Sequence, residues 1–461
     1  MYKPLCLITA PVATRSGYGA HSRDIVRSLI ELDKFDIKIF NVRWGNTPMN
    51  ALSAGDPNDD PIIERLLKNP QLDRQPDIHI HITVPNEFQN VGKYNIGITA
   101  GLECNIVPKE WIDGCNRMDL IVTPSKFASE GFINTMYNAQ QNNQITGQIK
   151  VNKPIEEIFE GSDTDIYRTT KEFTPLLASE MEKVKESWNY LFVGHWLQGD
   201  LGKDRKDTGM LVKTFLETFK NKPNSPGLIM KTSGATYSVI DRNSILKKIE
   251  EIKKSVEAET LPNIYLFHGD FHDKEINELY NHPKVKAMVS YTHGEGFGRP
   301  LLEFSMTKKP IIVSGYSGHV DFLDKNNSIL LPGTLTACPK SAFPDGMRVE
   351  GQSWFVVDYN VASRAFLEMK KNYRKYVVNA KKLAQVNRSR FSLKAMTRRI
   401  DNVLERYLPE FTPAPQQVQL KLPKLKKTSS EPQKLKLPKL KKKTDSKPPA
   451  KIKLPKLKKV T

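Results

Sequence analysis

The stretch from Val285 to Met306 leaves this chain few ways to fold. Val285–Val289, apolar apart from Lys286, reads as a buried strand, and Leu301–Met306 opens a helix. Pro300 stands in the first helical turn, where a missing N–H costs little. The loop between them carries Gly294, Gly296 and Gly298. Glycines let a backbone approach a ligand closely, and a helix N-terminus offers free N–H groups to an anion. Glu295 and Glu303 lie eight residues apart, one in the loop and one in the first turn of the helix. Two carboxylates so placed can accept hydrogen bonds from the hydroxyls of one polyol. A turn with two solvated glutamates has the same local sequence, so the rest of the chain must decide.

The same alternation runs through both halves. Leu5–Ala10 reads as a strand, followed by the loop around Gly17 and Gly19 and a helix from about Ala20 to Glu31 with Ile25, Leu29 and Ile30 as its stripe. The third glycine of a dinucleotide fingerprint is absent. Strands follow at Asp36–Val42, Asp77–Pro85, Tyr94–Ala100 and Leu120–Thr123, with a helix near Pro61–Lys68. His79 and His81 fall on one face of the third strand. Ser125 is a helix N-cap, and Tyr137–Gly147 is a polar interval. The pattern restarts with strands at Trp188–Val193, Gly227–Lys231, Ile264–His268, Val285–Val289 and Pro310–Val313, separated by helices. Strands alternating with helices imply parallel sheets covered on both faces. Gly333–Gly351 is a loop-rich insertion, and three helices precede Pro409.

With 461 residues the chain is too long for one core. The division expected is 1–165, completed by a C-terminal helix at about 388–410, then 166–387, then a tail at 411–461. Cys6, Cys104, Cys115 and Cys338 show no paired or metal-type spacing and read as reduced thiols. With no apolar run of signal-peptide or membrane-spanning length, the expectation is a cytoplasmic protein.

Gly294-Glu-Gly-Phe-Gly-Arg-Pro-Leu-Leu-Glu303, then Pro310-Ile-Ile-Val-Ser-Gly-Tyr-Ser-Gly318, resembles the signature of retaining GT-B glycosyltransferases of the family 4, group 1 type. Leu191-Phe-Val-Gly-His-Trp196 with Arg205-Lys206 resembles that family's strand and diphosphate-gripping basic pair. Gly17-Tyr-Gly19, Asp77–His81 and Pro124-Ser-Lys-Phe127 fall where the family places its N-terminal glycine loop, histidine strand and Pro-Ser turn. The resemblance covers roughly residues 4 to 410. It implies two Rossmann-like α/β domains facing across a cleft, and transfer of a sugar from a nucleotide-diphosphate donor with retention at the anomeric carbon. It also implies roles. Glu295 faces the transferred sugar and Glu303 the ribose; His81 or His79 meets the donor sugar or acceptor; Glu103 is an acceptor-side base. Gly17, Gly19, Gly194, Arg205, Lys206, Gly294, Gly296, Phe297 and Gly298 line the donor. No metal and no cofactor beyond the sugar nucleotide is implied, and Asp56–Asp60 reads as a turn. The chain departs from the pattern at His195, where many members carry arginine. Residues 197–204 also separate the strand from Arg205, which makes Lys203 a second candidate for the phosphate contact.

The formal charge of +19 sits mostly in the tail. From Thr412 onward there are 16 lysines against Glu431 and Asp445, which leaves 54 basic and 49 acidic residues, a net of +5, for the rest. Leu-Lys-Leu-Pro-Lys-Leu-Lys-Lys occurs at 420–427 and 435–442, and 452–459 repeats it with Ile452 for leucine. Proline in every copy forbids a continuous helix, and the composition cannot bury a core, so disorder is expected. Lysines without aromatic neighbours suit sequence-blind phosphate contacts; leucines among lysines suit an anionic membrane surface or a partner protein. A polyanionic acceptor follows from the first reading, with hydroxymethylated DNA of the virus type as one form. A surface polysaccharide or lipid-linked glycan follows from the second. A sugar-nucleotide-binding scaffold without catalysis is the alternative of another class.

Overall fold

A computed structural model describes residues 2–412, apart from 70, 142, 143, 198, 235 and 342–345. The basic repeats, and the disorder expected of them, lie outside the described residues. The first sheet is built from β1 (Leu5–Ala10), β2 (Asp36–Asn41), β3 (Ile78–Ile82), β4 (Tyr94–Ile98), β5 (Leu120–Thr123) and, past a hairpin of β6 (Tyr137–Gln141) and β7 (Gln144–Ile149), β8 (Ile155–Glu157). Its order is β2-β1-β3-β4-β5-β8, all parallel. Every residue of β3 and β5 is buried, as expected of strands with helices on both faces. The hairpin replaces the irregular polar interval expected at Tyr137–Gly147; its strands are exposed, so neither apolar alternation nor burial announced it. The helix expected at Pro61–Lys68 is a single turn, Asp60–Ile63, beyond which Leu66 bridges to Ile39 of β2.

The second sheet comprises β9 (Asn189–His195), β10 (Gly227–Ser233), β11 (Ile264–Phe267), β12 (Val285–Ser290), β13 (Ile311–Ser314) and β14 (Ile329–Leu331), ordered β11-β10-β9-β12-β13-β14 and parallel throughout. In each sheet the strand order reverses direction once, between β1 and β3 and between β9 and β12. Such switch points open a crevice at the carboxyl ends of the strands, which is where α/β sheets place ligands.

The chain crosses between the domains twice, at 158–165 and at 391–393, and the two crossings are tied together. Ser162 N–H donates to Phe391 O and Leu393 N–H to Ser162 O, both at 2.9 Å. After the second crossing the helix Leu393–Tyr407 returns to the first domain, where Met396, Ile400, Val403 and Leu404 join its core. Spacing of four, three and one puts all four on one helical face.

A second connection departs from the expected loop at Gly333–Gly351. β15 (Gly333–Ala337) and β16 (Ser353–Val357) form an antiparallel hairpin. Cys338 and Trp354 from this hairpin pack into an apolar cluster of the first domain with Phe88, Leu102, Trp111 and Phe132. Among the described residues no helix is long and apolar enough to cross a membrane.

Candidate active site

At the β9/β12 switch point the loop from Tyr291 to Gly298 is fastened on several sides. Thr292 Oγ1 donates to Gly294 O at 2.8 Å, Glu295 N–H to Ser317 Oγ at 2.8 Å, and Gly318 N–H to Glu295 O at 2.9 Å. Ser125, the N-cap of the helix Lys126–Ile133, reaches across from the first domain and donates its hydroxyl to Gly296 O. The loop glycines serve this contact. A Cβ at Gly294 would stand 2.5 Å from Glu103 O, and one at Gly296 would stand 2.3 Å from Ala100 O. Both approaches are made to the facing domain, not to open space reserved for a ligand. Gly298 adopts φ 98°, the left-handed conformation, at the N-cap of the helix Arg299–Ser305.

Two ion pairs bring the charged candidates together. Lys206 Nζ meets Glu295 Oε1, and the two side chains are only 13% and 10% exposed. Arg205 meets Glu103 across the domain boundary. Burial opposes the charge on Glu295, yet Lys206 and Arg205 outweigh it and hold the carboxyl below its usual range. The basic pair is positioned from behind. Arg205 O accepts from His293 N–H at 3.2 Å, and Asp207, at φ 50°, turns the chain into the helix Thr208–Phe219. That helix's first N–H groups are taken by the Asp204 carboxylate, which accepts from Thr208 and Gly209 at 2.9 and 3.3 Å. Lys203, the alternative phosphate contact, is exposed and paired with Asp200 at 3.2 Å. His195 is fastened through Nδ1 to Ser233 Oγ and Gly234 O.

Glu303 lies in a different setting. Arg299 Nε donates to it at 2.8 Å, and the same guanidinium pairs through Nη1 with Asp24 on the helix Gly17–Leu32 of the first domain. Burial pushes Glu303 up to about 8; Arg299 pulls it back only in part, because Asp273 and Asp24 add negative charge. Glu160, on the crossing segment, is buried in the same region and is raised to about 7, first by burial, with Arg299 opposing. His21, beside Asp24 and Arg299, is buried with neither ring nitrogen hydrogen-bonded.

At the β1/β3 switch point the two histidines separate. His79 is satisfied on both nitrogens, by Thr9 Oγ1 and Gln89 O at 2.9 Å each, which makes it structural. His81 accepts from Gln89 N–H through Nδ1 at 3.2 Å. Its neutral ring therefore carries the proton on Nε2, and burial holds its pKa near 4.

Several of the remaining candidates sit in settings the sequence did not show. Phe297 is 2% exposed and its ring packs against Phe322 in the core, which leaves its backbone as the part that can face the loop's ligand side. Gly17 and Gly19 lie inside the first helical turn, capped by Ser16, and the space a Cβ would need at Gly19 is filled by Thr14 O at 2.3 Å. Glu103 is paired with Arg205 in the unliganded structure. Gly194 ends next to Phe192 and Lys206, where a Cβ would sit 3.2 and 3.8 Å away. Residues that sequence reading did not single out are Arg299, Asp24, Glu160 and Ser317. Only Arg299 had a local signal, its i, i+4 spacing from Glu303.

Comparisons with known proteins agree with this geometry. Residues 244–342 match the model of the family described as glycosyl transferases group 1. That match falls on the segment that holds β11 to β14 of the second sheet. No curated protein matches it in sequence. Among solved structures it is similar to HepE of Anabaena in complex with UDP and glucose, at a TM-score of 0.54 and 13% identity over 87% of this chain and 100% of that one. It is also similar to a glycosyltransferase from Rickettsia africae, at 0.58 and 14% over 89% and 100%. Sucrose-phosphate synthase from Thermosynechococcus elongatus aligns at 0.58 and 11% over 88% and 99%. At these identities the likeness is one of fold, and that fold is GT-B.

Proposed function

We propose that this chain transfers a sugar from a nucleotide-diphosphate sugar to an acceptor with retention of anomeric configuration. The observation that carries the reading is the convergence of Arg205, Lys206 and Glu295 at the β9/β12 crevice, inside a domain whose 244–342 segment matches the group 1 family. Unliganded, each cation is held by a carboxylate. A diphosphate replaces both carboxylates as the partner of Arg205 and Lys206, since charge-assisted bonds to phosphate are the stronger ones. Exchange neutralises the leaving group as its charge develops, and it frees Glu295 for the transferred sugar. Glu303 takes the ribose hydroxyls, with Arg299 holding its orientation. His81 offers Nε2–H as a hydrogen-bond donor to a sugar or acceptor hydroxyl, a role that suits a ring kept neutral. No enzyme nucleophile is assigned: the acceptor hydroxyl attacks the face from which the diphosphate departs. HepE and the trehalose-6-phosphate protein of E. coli were solved with UDP-glucose and UDP-2-fluoro glucose respectively, which makes UDP-sugars the first donors to try.

The acceptor in this reading is a polyanion, DNA carrying hydroxymethylated bases. The support is the tail's 16 lysines against two acidic residues and its lack of aromatic side chains. A panel of sugar nucleotides incubated with the enzyme, with the released nucleoside diphosphate measured by mass spectrometry, tests the donor half. Release with none of them overturns it. Duplex-DNA binding across a salt series tests the acceptor half. Deleting 413–461 is expected to lower both the affinity and the steepness of its salt dependence; an unchanged slope sends the search to lipid-linked or polysaccharide acceptors.

A further inference from the structure

The four cysteines share no spacing in sequence, yet the fold brings two of them together across the domain boundary. Cys104 lies in the loop after β4 of the first domain, and Cys338 directly follows β15 in the hairpin that grows from the second. Their Sγ atoms are 3.1 Å apart although 234 residues separate them. Both are buried, at 1% and 5% exposure, within the apolar cluster that includes Leu102, Trp111 and Trp354. The backbone is fastened on each side of the pair. Asn105 N–H donates to Ser353 O at 3.3 Å, and Ser353 N–H donates to Asn105 Oδ1 at 2.7 Å. Gln352 Nε2 donates to Ile106 O at 3.2 Å, and Cys338 N–H to Gln352 O at 3.0 Å. Two anchored segments, rather than two wandering side chains, set the sulfur-to-sulfur approach. Cys6 and Cys115 are also buried free thiols, with no such contact among the described residues.

We propose that Cys104 and Cys338 form a redox site whose oxidation closes a disulfide between the two domains. The bond fixes the loop that presents Glu103 to Arg205, so it reports on the donor cleft one residue away. The two thiols are not equivalent. The contact with the Cys104 sulfur and the nearby Arg348 together hold the Cys338 thiol below its usual range, against the opposing effect of burial. Cys338 is therefore the attacking thiolate. With a low-molecular-weight disulfide such as oxidised glutathione as oxidant, the Cys338 thiolate takes one sulfur and expels the first thiolate. Cys104 then attacks Cys338 Sγ, expels the second, and its proton passes to that leaving thiolate. Two protein thiols are oxidised to one disulfide, and one glutathione disulfide is reduced to two thiols.

The test uses the full chain incubated with oxidised or reduced glutathione, alkylated with iodoacetamide and mapped by peptide mass spectrometry. The expected result is a linked Cys104–Cys338 peptide pair, lighter by two hydrogens, with Cys6 and Cys115 recovered alkylated. Because the link spans a long loop, the oxidised chain should melt higher by roughly 5 °C. Cys338→Ser and, separately, Cys104→Ala should lack that shift while melting near the reduced wild type. Recovery of Cys104 and Cys338 as separately alkylated or glutathione-capped peptides overturns the proposal, and this readout needs no variant to fold. An equal oxidant-induced shift in Cys338→Ser overturns it as well.

Discussion

Glu295 and Glu303 stand eight residues apart in one motif and face opposite electrostatic settings. Glu295 sees two cations, Lys206 and Arg205, and stays ionised despite its burial. Glu303 sees one cation, Arg299, which it shares with Asp24, and is pushed up to about 8. Burial is similar for the two, at 8% and 5% exposure, so the count of opposite charges decides the difference. A carboxylate kept charged suits a group that must steady a developing positive charge at the sugar. A carboxyl raised to about 8 suits a hydrogen-bonding contact that strengthens as the group loses its proton. One motif thus holds its two carboxyls in different charge states through their neighbours, which is the separation the proposed reading uses.

The contrast can be broken from either side, and the largest effect is expected at Glu295. Glu295→Gln keeps shape and removes charge; turnover should fall about 10²- to 10³-fold with little change in donor affinity. A loss confined to affinity would move Glu295 to the binding side. Next comes Arg299→Met, which leaves Asp24 and Glu303 buried without their shared cation. Denaturant unfolding should show a loss of about 3 kcal/mol or more, and near-wild-type stability would mean the bridge is weak in solution. The pH dependence is a smaller effect with a definite sign. Ribose hydroxyls donate to Glu303, so donor affinity should improve as pH rises through about 8, where the carboxyl loses its proton. Lys206, which burial drives toward neutrality, works against this at higher pH. The informative quantity is therefore the difference between wild type and Glu303→Gln, which should grow between about pH 7 and 9 by up to roughly tenfold. A constant difference would place Glu303 outside the donor contact. Smallest of all, Lys203→Ala should change donor affinity by no more than about 0.5 kcal/mol, since its pair with Asp200 is exposed.

The alternation of apolar runs made the two parallel sheets legible, because a strand buried on both faces must be apolar along its length. Arg205, Lys206, Glu295 and Glu303 were legible through the resemblance to the glycosyltransferase pattern, and in the fold all four follow the carboxyl ends of the neighbouring strands β9 and β12 at a switch point. What could not be read were pairings across the domains. Arg205 with Glu103, Arg299 with Asp24, and Cys104 with Cys338 join residues 102, 275 and 234 positions apart. No local periodicity records such distances. The glycines of the loop show the limit most clearly. Their spacing promised a close approach and gave no hint that the approaching body was the backbone of residues 100–103. The burial of the Phe297 ring was equally hidden, since a ring in a loop and a ring in a core look alike until packing is known.

Isothermal titration of nucleoside diphosphates against the wild type and Lys206→Met bears most directly on the donor site. At least one nucleoside diphosphate should bind the wild type, and the variant should bind it at least about 30-fold more weakly, because a charge-assisted contact to the diphosphate is lost. Equal affinity in the two proteins would contradict the placement of the diphosphate at the β9/β12 crevice.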